Sequence, residues 1–213
     1  MDATAPFVIR RATPEDIPAL QAFIAGLSPS TRASRFFVPL LELPPMLLQA
    51  LQDRDPLHHF LVARAANGRS FADASPGASP GASAGAIAGT MPETEGAILA
   101  LAQYARRPPP ALVCEIALVI ADAWQKRGLG RQLMLQLLAD AQGHGLDLAV
   151  GDVLRQNRAM LALARGLDFS LQRHPEDPML VQVVRPIRRQ TAPARTLPAC
   201  HSGRQPAEMP AAA

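Results

Sequence analysis

The run ALVCEIALVIA, residues 111–121, constrains the fold of this chain more than any other stretch. It is apolar throughout except for Glu115, so it predicts a strand covered on both faces. QKRGLGRQLM follows within four residues, with three cations and two glycines in its first seven positions. Beyond the glycines, Leu129, Leu133, Leu137 and Ala141 recur at helical i, i+4 spacing, with Met134 and Leu138 beside them. LDLAVGDV, residues 146–153, then reads as another strand. A buried strand, a glycine turn, an amphipathic helix and a second strand make a βαβ crossover, and the rest of the chain must be built around it.

The remaining segments supply hairpin-linked strands and further helices. FVIRRA (7–12) predicts a strand, and TPED after it has Thr13 as N-cap, Pro14 at the first helical position and Asp16 completing a capping-box-like start. IPALQAFIAGL continues as a helix, with Ile17, Leu20, Phe23, Ile24 and Leu27 on one face. LSPSTRASRFF reads as a turn and then a short helical or irregular segment, and Pro44 and Pro45 open another helix. Strands are expected at 58–66 and 96–105. A helix is expected in RQNRAMLALARGL, and a closing strand pair in FSLQRH and MLVQVVRPI. The order β-α-α-β-β-β-α-β-α-β-β describes an α+β domain with a mixed sheet. The domain is expected to span residues 1–187. Residues 67–86, with their SPGA near-repeat, read as a flexible loop, and 188–213 as a disordered tail.

Composition narrows the function classes. Lys126 is the sole lysine, the formal net charge is only +3, and no basic run is interleaved with aromatics, so no nucleic-acid partner is expected. No stretch is long and apolar enough for a membrane span, and the N-terminus lacks an apolar core for a signal peptide. The expectation is therefore no membrane partner and a cytoplasmic location. Cys114 and Cys200 have no metal-like spacing, and no metal is expected. Arg32 and Arg35 stand evenly between lining an acceptor site and merely flanking it.

Gly128 and Gly130 fit either of two roles: shaping a helix start, or admitting a ligand against the backbone. A helix N-terminus emerging from a buried strand is an anion site through its free N–H groups. The P-loop spacing is absent, and Leu133 stands where a dinucleotide fingerprint needs a small residue.

The run CEIALVIADAWQKRGLGRQLM resembles the central motif of the GCN5-related N-acetyltransferases, or GNAT family, whose pattern Gln/Arg-x-x-Gly-x-Gly/Ala is matched by Gln125, Gly128 and Gly130. NRAMLALARGLDF is similar to the family's second motif, and IRRATPEDIPAL to its opening. LSPSTRASRFF, CEIALVI and HPEDPMLVQV further resemble the acetyltransferase domain of bacterial protein lysine acetyltransferases. The resemblance implies a mostly antiparallel sheet of six to seven strands flanked by about four helices. It implies acetyl-CoA as co-substrate, without a metal, and direct transfer to an amine acceptor that is a protein lysine or a small molecule. A non-catalytic acyl-CoA-binding module is the alternative outside enzymes, and the oligomeric state, monomer or dimer, is open.

The same resemblance assigns residues. Glu115 is the candidate base, its solitary position in an apolar strand suggesting a pKa raised by burial. Leu118, Val119 and Ile120 would offer backbone groups to pantetheine. Gln125, Lys126, Arg127, Gly128, Leu129, Gly130 and Arg131 would hold the pyrophosphate, chiefly through backbone N–H groups. Asn157 would touch the CoA arm or cap its helix. Two departures stand out: Ala164 where many members carry a tyrosine acid for the leaving thiolate, and Asp168 where a glycine usually precedes Phe169.

Overall fold

A computed structural model describes residues 7–38, 40–66, 96–108 and 110–187, so the expected loop at 67–86 and tail at 188–213 lie outside the described residues. In chain order the elements are β1 (Phe7–Arg11), α1 (Ile17–Gly26), α2 (Pro29–Phe36), α3 (Pro45–Gln52), β2 (His58–Ala65), β3 (Ile98–Arg106), β4 (Val113–Ile120), α4 (Leu129–Gly143), β5 (Leu148–Leu154), α5 (Arg158–Arg165), β6 (Ser170–Arg173) and β7 (Leu180–Pro186). One seven-stranded sheet runs β1-β2-β3-β4-β5-β7-β6. Every pairing is antiparallel except β4 with β5, the crossover legible in the sequence. The described residues hold five α-helices where about four were expected. The addition is α2, which Ser28 caps by accepting from the Thr31 N–H.

The sheet is covered on both faces. Leu129, Leu133, Met134, Leu137, Leu138 and Ala141 of α4 pack over Tyr104, Cys114 and Ile116, so alternate residues of β4 supply that core. Val119, of opposite parity, joins Leu20, Phe23 and Ile24 of α1 and Leu47 and Leu51 of α3 on the other face. Arg32 is buried there too, donating to the carbonyls of Ala25 and Leu27. It is a structural clasp for the α1–α2 turn, and of the two arginines it is Arg35 that lines the cleft described below.

The feature that makes a site is a split in the sheet. β4 pairs with β5 only through Val113, Cys114 and Glu115 against Leu148, Ala149 and Val150. Past that point β4 continues on β3 as far as Ile120, while β5 continues on β7 as far as Leu154. The β5-facing backbone edge of residues 116–120 thus has no strand partner, which a buried edge requires something else to satisfy.

Candidate active site

The cleft at the split is lined by Ile116, Ala117 and Leu118 of β4, Gly151, Asp152 and Val153 of β5, Asn157 and Met160 of α5, and Ser34 and Arg35 of α2. Beyond it, the chain leaves β4 through a single 3-10 turn, Asp122–Trp124, and enters α4 by a tight bend. Lys126 (φ 60°) and Gly128 (φ 84°) both adopt the left-handed conformation. Gly128 is the α4 N-cap, and a Cβ there would meet nothing within 4 Å, so glycine is needed for the backbone angle and not for space. The bend presents the first N–H groups of a 15-residue helix, which have no intrahelical acceptor.

Two of the three cations of this stretch are engaged elsewhere. Arg131 donates to the Gly166 carbonyl at 2.8 Å, tying α4 to the end of α5. Arg127 lies 5.6 Å from the ring centre of Trp124, in cation–π range. Gln125 gives its amide N–H to Thr31 Oγ1 and the Ile120 carbonyl, both at 3.2 Å. Leu129 is fully buried core and Val119 faces the α1–α3 side, so neither side chain can reach a ligand. For these five residues the backbone is what is left for ligand contact, the group that the sequence reading already put first. Lys126 is exposed.

Gly130 has a different reason to be glycine. It is buried, and a Cβ would lie 2.8 Å from Ile120 Cδ1 and 3.3 Å from Leu163 Cδ2. The absent side chain lets α4 close against β4 and α5. Gly130→Val is expected to lose about 1–3 kcal/mol by overpacking. In Gly130→Ala, adding Ile120→Val, which deletes the obstructing Cδ1, should recover much of the loss. Thermal melts of the single and double variants check this, and additive losses would show that the contact does not limit packing.

Glu115 corrects the sequence reading. The strand is covered on both faces at Cys114, Ile116 and Val119, but Glu115 itself is exposed. It shares the parity of Val119, on the helix α2 face, at a level the helices leave open. Burial therefore cannot be what suits its carboxylate to proton transfer. Its position can, because Glu115 is the last β4 residue paired to β5 and so stands at the apex of the split. Arg35 is its electrostatic neighbour: burial pushes the guanidinium down to about 10, and the Glu115 carboxylate pulls it back up.

Asn157 does cap α5, accepting from the Met160 N–H at 3.1 Å, and it lines the cleft as well, so its two expected roles are compatible. Asp168 takes the left-handed conformation (φ 58°), which explains a usual glycine there and is a conformation aspartate tolerates. Tyr104 is fully buried, and its hydroxyl donates to Asp140 at 3.0 Å near the far end of α4. It also lies 3.0 Å from His144 Nδ1, so the hydroxyl is engaged within the α4 side of the core and is not free to act as an acid at the cleft.

No sequence signal marks the brace behind the loop. Asp122 accepts from Ser28 N (2.9 Å), Ser28 Oγ (2.7 Å) and Thr31 Oγ1 (2.7 Å), clamping the N-terminus of α2 to the β4–α4 loop. Such pairings between segments 94 and 91 residues apart leave no local signal. Elsewhere, His59, Asp140 and His144 place possible metal-ligand atoms within 4.8 Å of one another. Arg11 already supplies a cation to that group, bonding His59 Nδ1 at 2.8 Å and both Asp140 oxygens at 3.1 Å.

A sequence profile of the Acetyltransferase (GNAT) family matches residues 78–169, which take in β3, β4, the bend, α4, β5 and α5. A curated acetyltransferase of Pseudomonas aeruginosa is 29% identical over 170 residues, spanning 80% of this chain and 78% of its own. The fold is shared with the GNAT domain of S. lividans PAT (TM-score 0.63, 19% identity, 84% of this chain and 89% of that one). It is shared too with Salmonella typhimurium yncA, solved with its cofactor acetyl-CoA (TM-score 0.58, 17% identity, 89% and 98%). Motif, split sheet, profile and relative agree: the chain has the GNAT fold and, over the stretch that builds the split and the bend, resembles the GNAT acetyltransferases.

Proposed function

We propose that this protein transfers the acetyl group of acetyl-CoA directly to a primary amine. The observation that carries the reading is the split after Glu115 and Val150, with an anion-binding helix start beyond it. The edge of residues 116–120 that β5 leaves, with Leu118 at its centre and the Ile120 carbonyl already taken by Gln125, suits the amide-bearing pantetheine arm. The bend at residues 125–131 suits the pyrophosphate, through its backbone N–H groups. Acetyl-CoA supplies an activated thioester carbonyl. The Asn157 amide stands where it would steady the arm.

The amine nitrogen forms a bond to the carbonyl carbon, the carbon–sulfur bond breaks, and one proton must leave the nitrogen. Once that nitrogen has begun to bond to carbon its proton is strongly acidic, so the Glu115 carboxylate can accept it, directly or through a water. Because the Tyr104 hydroxyl is buried and engaged by Asp140, the departing thiolate takes its proton from solvent. A lysine side chain on a protein and a small amine both satisfy these requirements.

Calorimetry tests the reading. Acetyl-CoA is expected to bind with a Kd in the micromolar range, and desulfo or dephosphorylated analogues more weakly. No heat at millimolar acetyl-CoA would overturn the proposal.

A further inference from the structure

Two groups of opposite charge line the cleft with their hydrogen bonding incomplete. Arg35 buries its Nε and Nη2 without an acceptor, although its guanidinium lies 4.8 Å from the Phe36 ring centre. Asp152 buries Oδ1 without a donor. Its other oxygen, Oδ2, lies 3.7 Å from His174 Nε2. His174 Nδ1 accepts from the N–H groups of Glu176 (3.2 Å) and Asp177 (3.0 Å), so in the neutral ring the proton sits on Nε2, facing Asp152. Asp152 is thereby held with one oxygen left for the cleft.

Arg35 and Asp152 do not form an ion pair with each other, nor does Arg35 with Glu115, among the described residues. A buried guanidinium edge without an acceptor is unfavourable. The two unmatched nitrogens are the side-on fork of the guanidinium, whose parallel N–H bonds fit a carboxylate. Asp152 lies two residues beyond Val150 on β5, so it shares a sheet face with the residue registered against Glu115.

We propose that the acceptor is a small aminocarboxylate, its carboxylate held in the Arg35 fork and its ammonium drawn in by Asp152 and delivered to Glu115. This rests on the acetyl-transfer reading and names its substrate class. A zwitterion satisfies both groups at once. A protein lysine or a simple monoamine brings only the ammonium and leaves Arg35 unmatched. The pantetheine arm is uncharged, and the phosphates of CoA belong at the α4 N-terminus, so the co-substrate does not neutralise Arg35 either. In the step itself the ammonium first loses a proton to solvent, the N–C bond forms as the C–S bond breaks, and the second proton goes to Glu115.

The test uses the full chain with acetyl-CoA and a panel of α- and ω-amino acids, each beside its decarboxylated amine and its methyl ester, together with lysine-containing peptides. The expected result is a kcat/KM for at least one amino acid on the order of 10²-fold above its amine and ester. Arg35→Lys, which keeps the charge but loses the fork, should raise the KM for that acid about tenfold or more and by a much larger factor than for its amine counterpart. Asp152→Asn should weaken both acid and amine. Calorimetric acetyl-CoA binding by each variant separates a local change from a folding failure. Equal use of acids and amines, or preference for peptide lysines with acetyl-CoA bound normally, overturns the aminocarboxylate acceptor and leaves acetyl transfer standing. Failure to bind acetyl-CoA overturns both.

Discussion

Replacing Glu115 by Gln is expected to lower kcat by about 10²–10⁴-fold while leaving the Kd for acetyl-CoA unchanged. The amide has nearly the carboxylate's shape and can still accept a hydrogen bond, but it cannot take a proton. Glu115 is exposed and does not line the deeper part of the cleft, so the change should not disturb packing. Steady-state transfer measured beside calorimetry separates the two effects. The exposed position also means that acceptor binding must bring the amine to the carboxylate, so the defect should appear in kcat and kcat/KM together. Turnover within threefold of wild type would remove Glu115 from the proton transfer. Asp152, the other carboxylate on that face of the split, would then be the group to replace.

Much of the architecture was legible because it rests on local periodicity. The apolar β4 run, the i, i+4 pattern of α4, and the capping signals before α1 and at Asn157 each act within a few residues. Helix α2 was only half legible, since PSTRASRF carries little apolar pattern and is held by Ser28 and Asp122. What was not legible shares a cause. Glu115 looked buried because an apolar run says that a strand is covered, not how far the cover extends at each residue. The side-chain partners of Arg131 and Arg127, the Gly166 carbonyl and the Trp124 ring, were not legible because they depend on how α4 meets α5 and how the loop folds back. Asp152 carried no motif at all. Its significance comes from a strand split and a histidine 22 residues later in the chain, and neither leaves a spacing to read.

Asp16 shows how a local signal can conceal a larger role, and its removal is expected to have the largest effect on stability. The sequence places it in a capping box, and that box is present. The carboxylate, only 2% exposed, also accepts both arms of Arg10 at 2.7 Å and Arg64 Nη1 at 3.0 Å, besides the Thr13 N–H at 2.9 Å. One residue therefore joins β1 and β2 to the start of α1. Asp16→Ala should destabilise the fold by about 3 kcal/mol, at the lower end for a broken buried pair because Arg10 and Arg64 are part-exposed and water regains some of their solvation. For a chain of this size that is roughly a 6–12 °C fall in Tm. The Arg10 guanidinium, outweighing burial and aided by the Thr13 backbone and Arg64, holds the carboxyl below the usual range. A carboxyl with a depressed folded pKa contributes fully above its unfolded value of about 4 and loses that contribution as pH falls through the folded one. The gap in Tm between wild type and Asp16→Ala should accordingly be widest near pH 6–7 and close below about pH 4. A gap that stays constant across that range would mean that Asp16 acts by shape or capping alone, whereas a gap under 2 °C at neutral pH would show that β1, β2 and α1 are joined by something other than its charge.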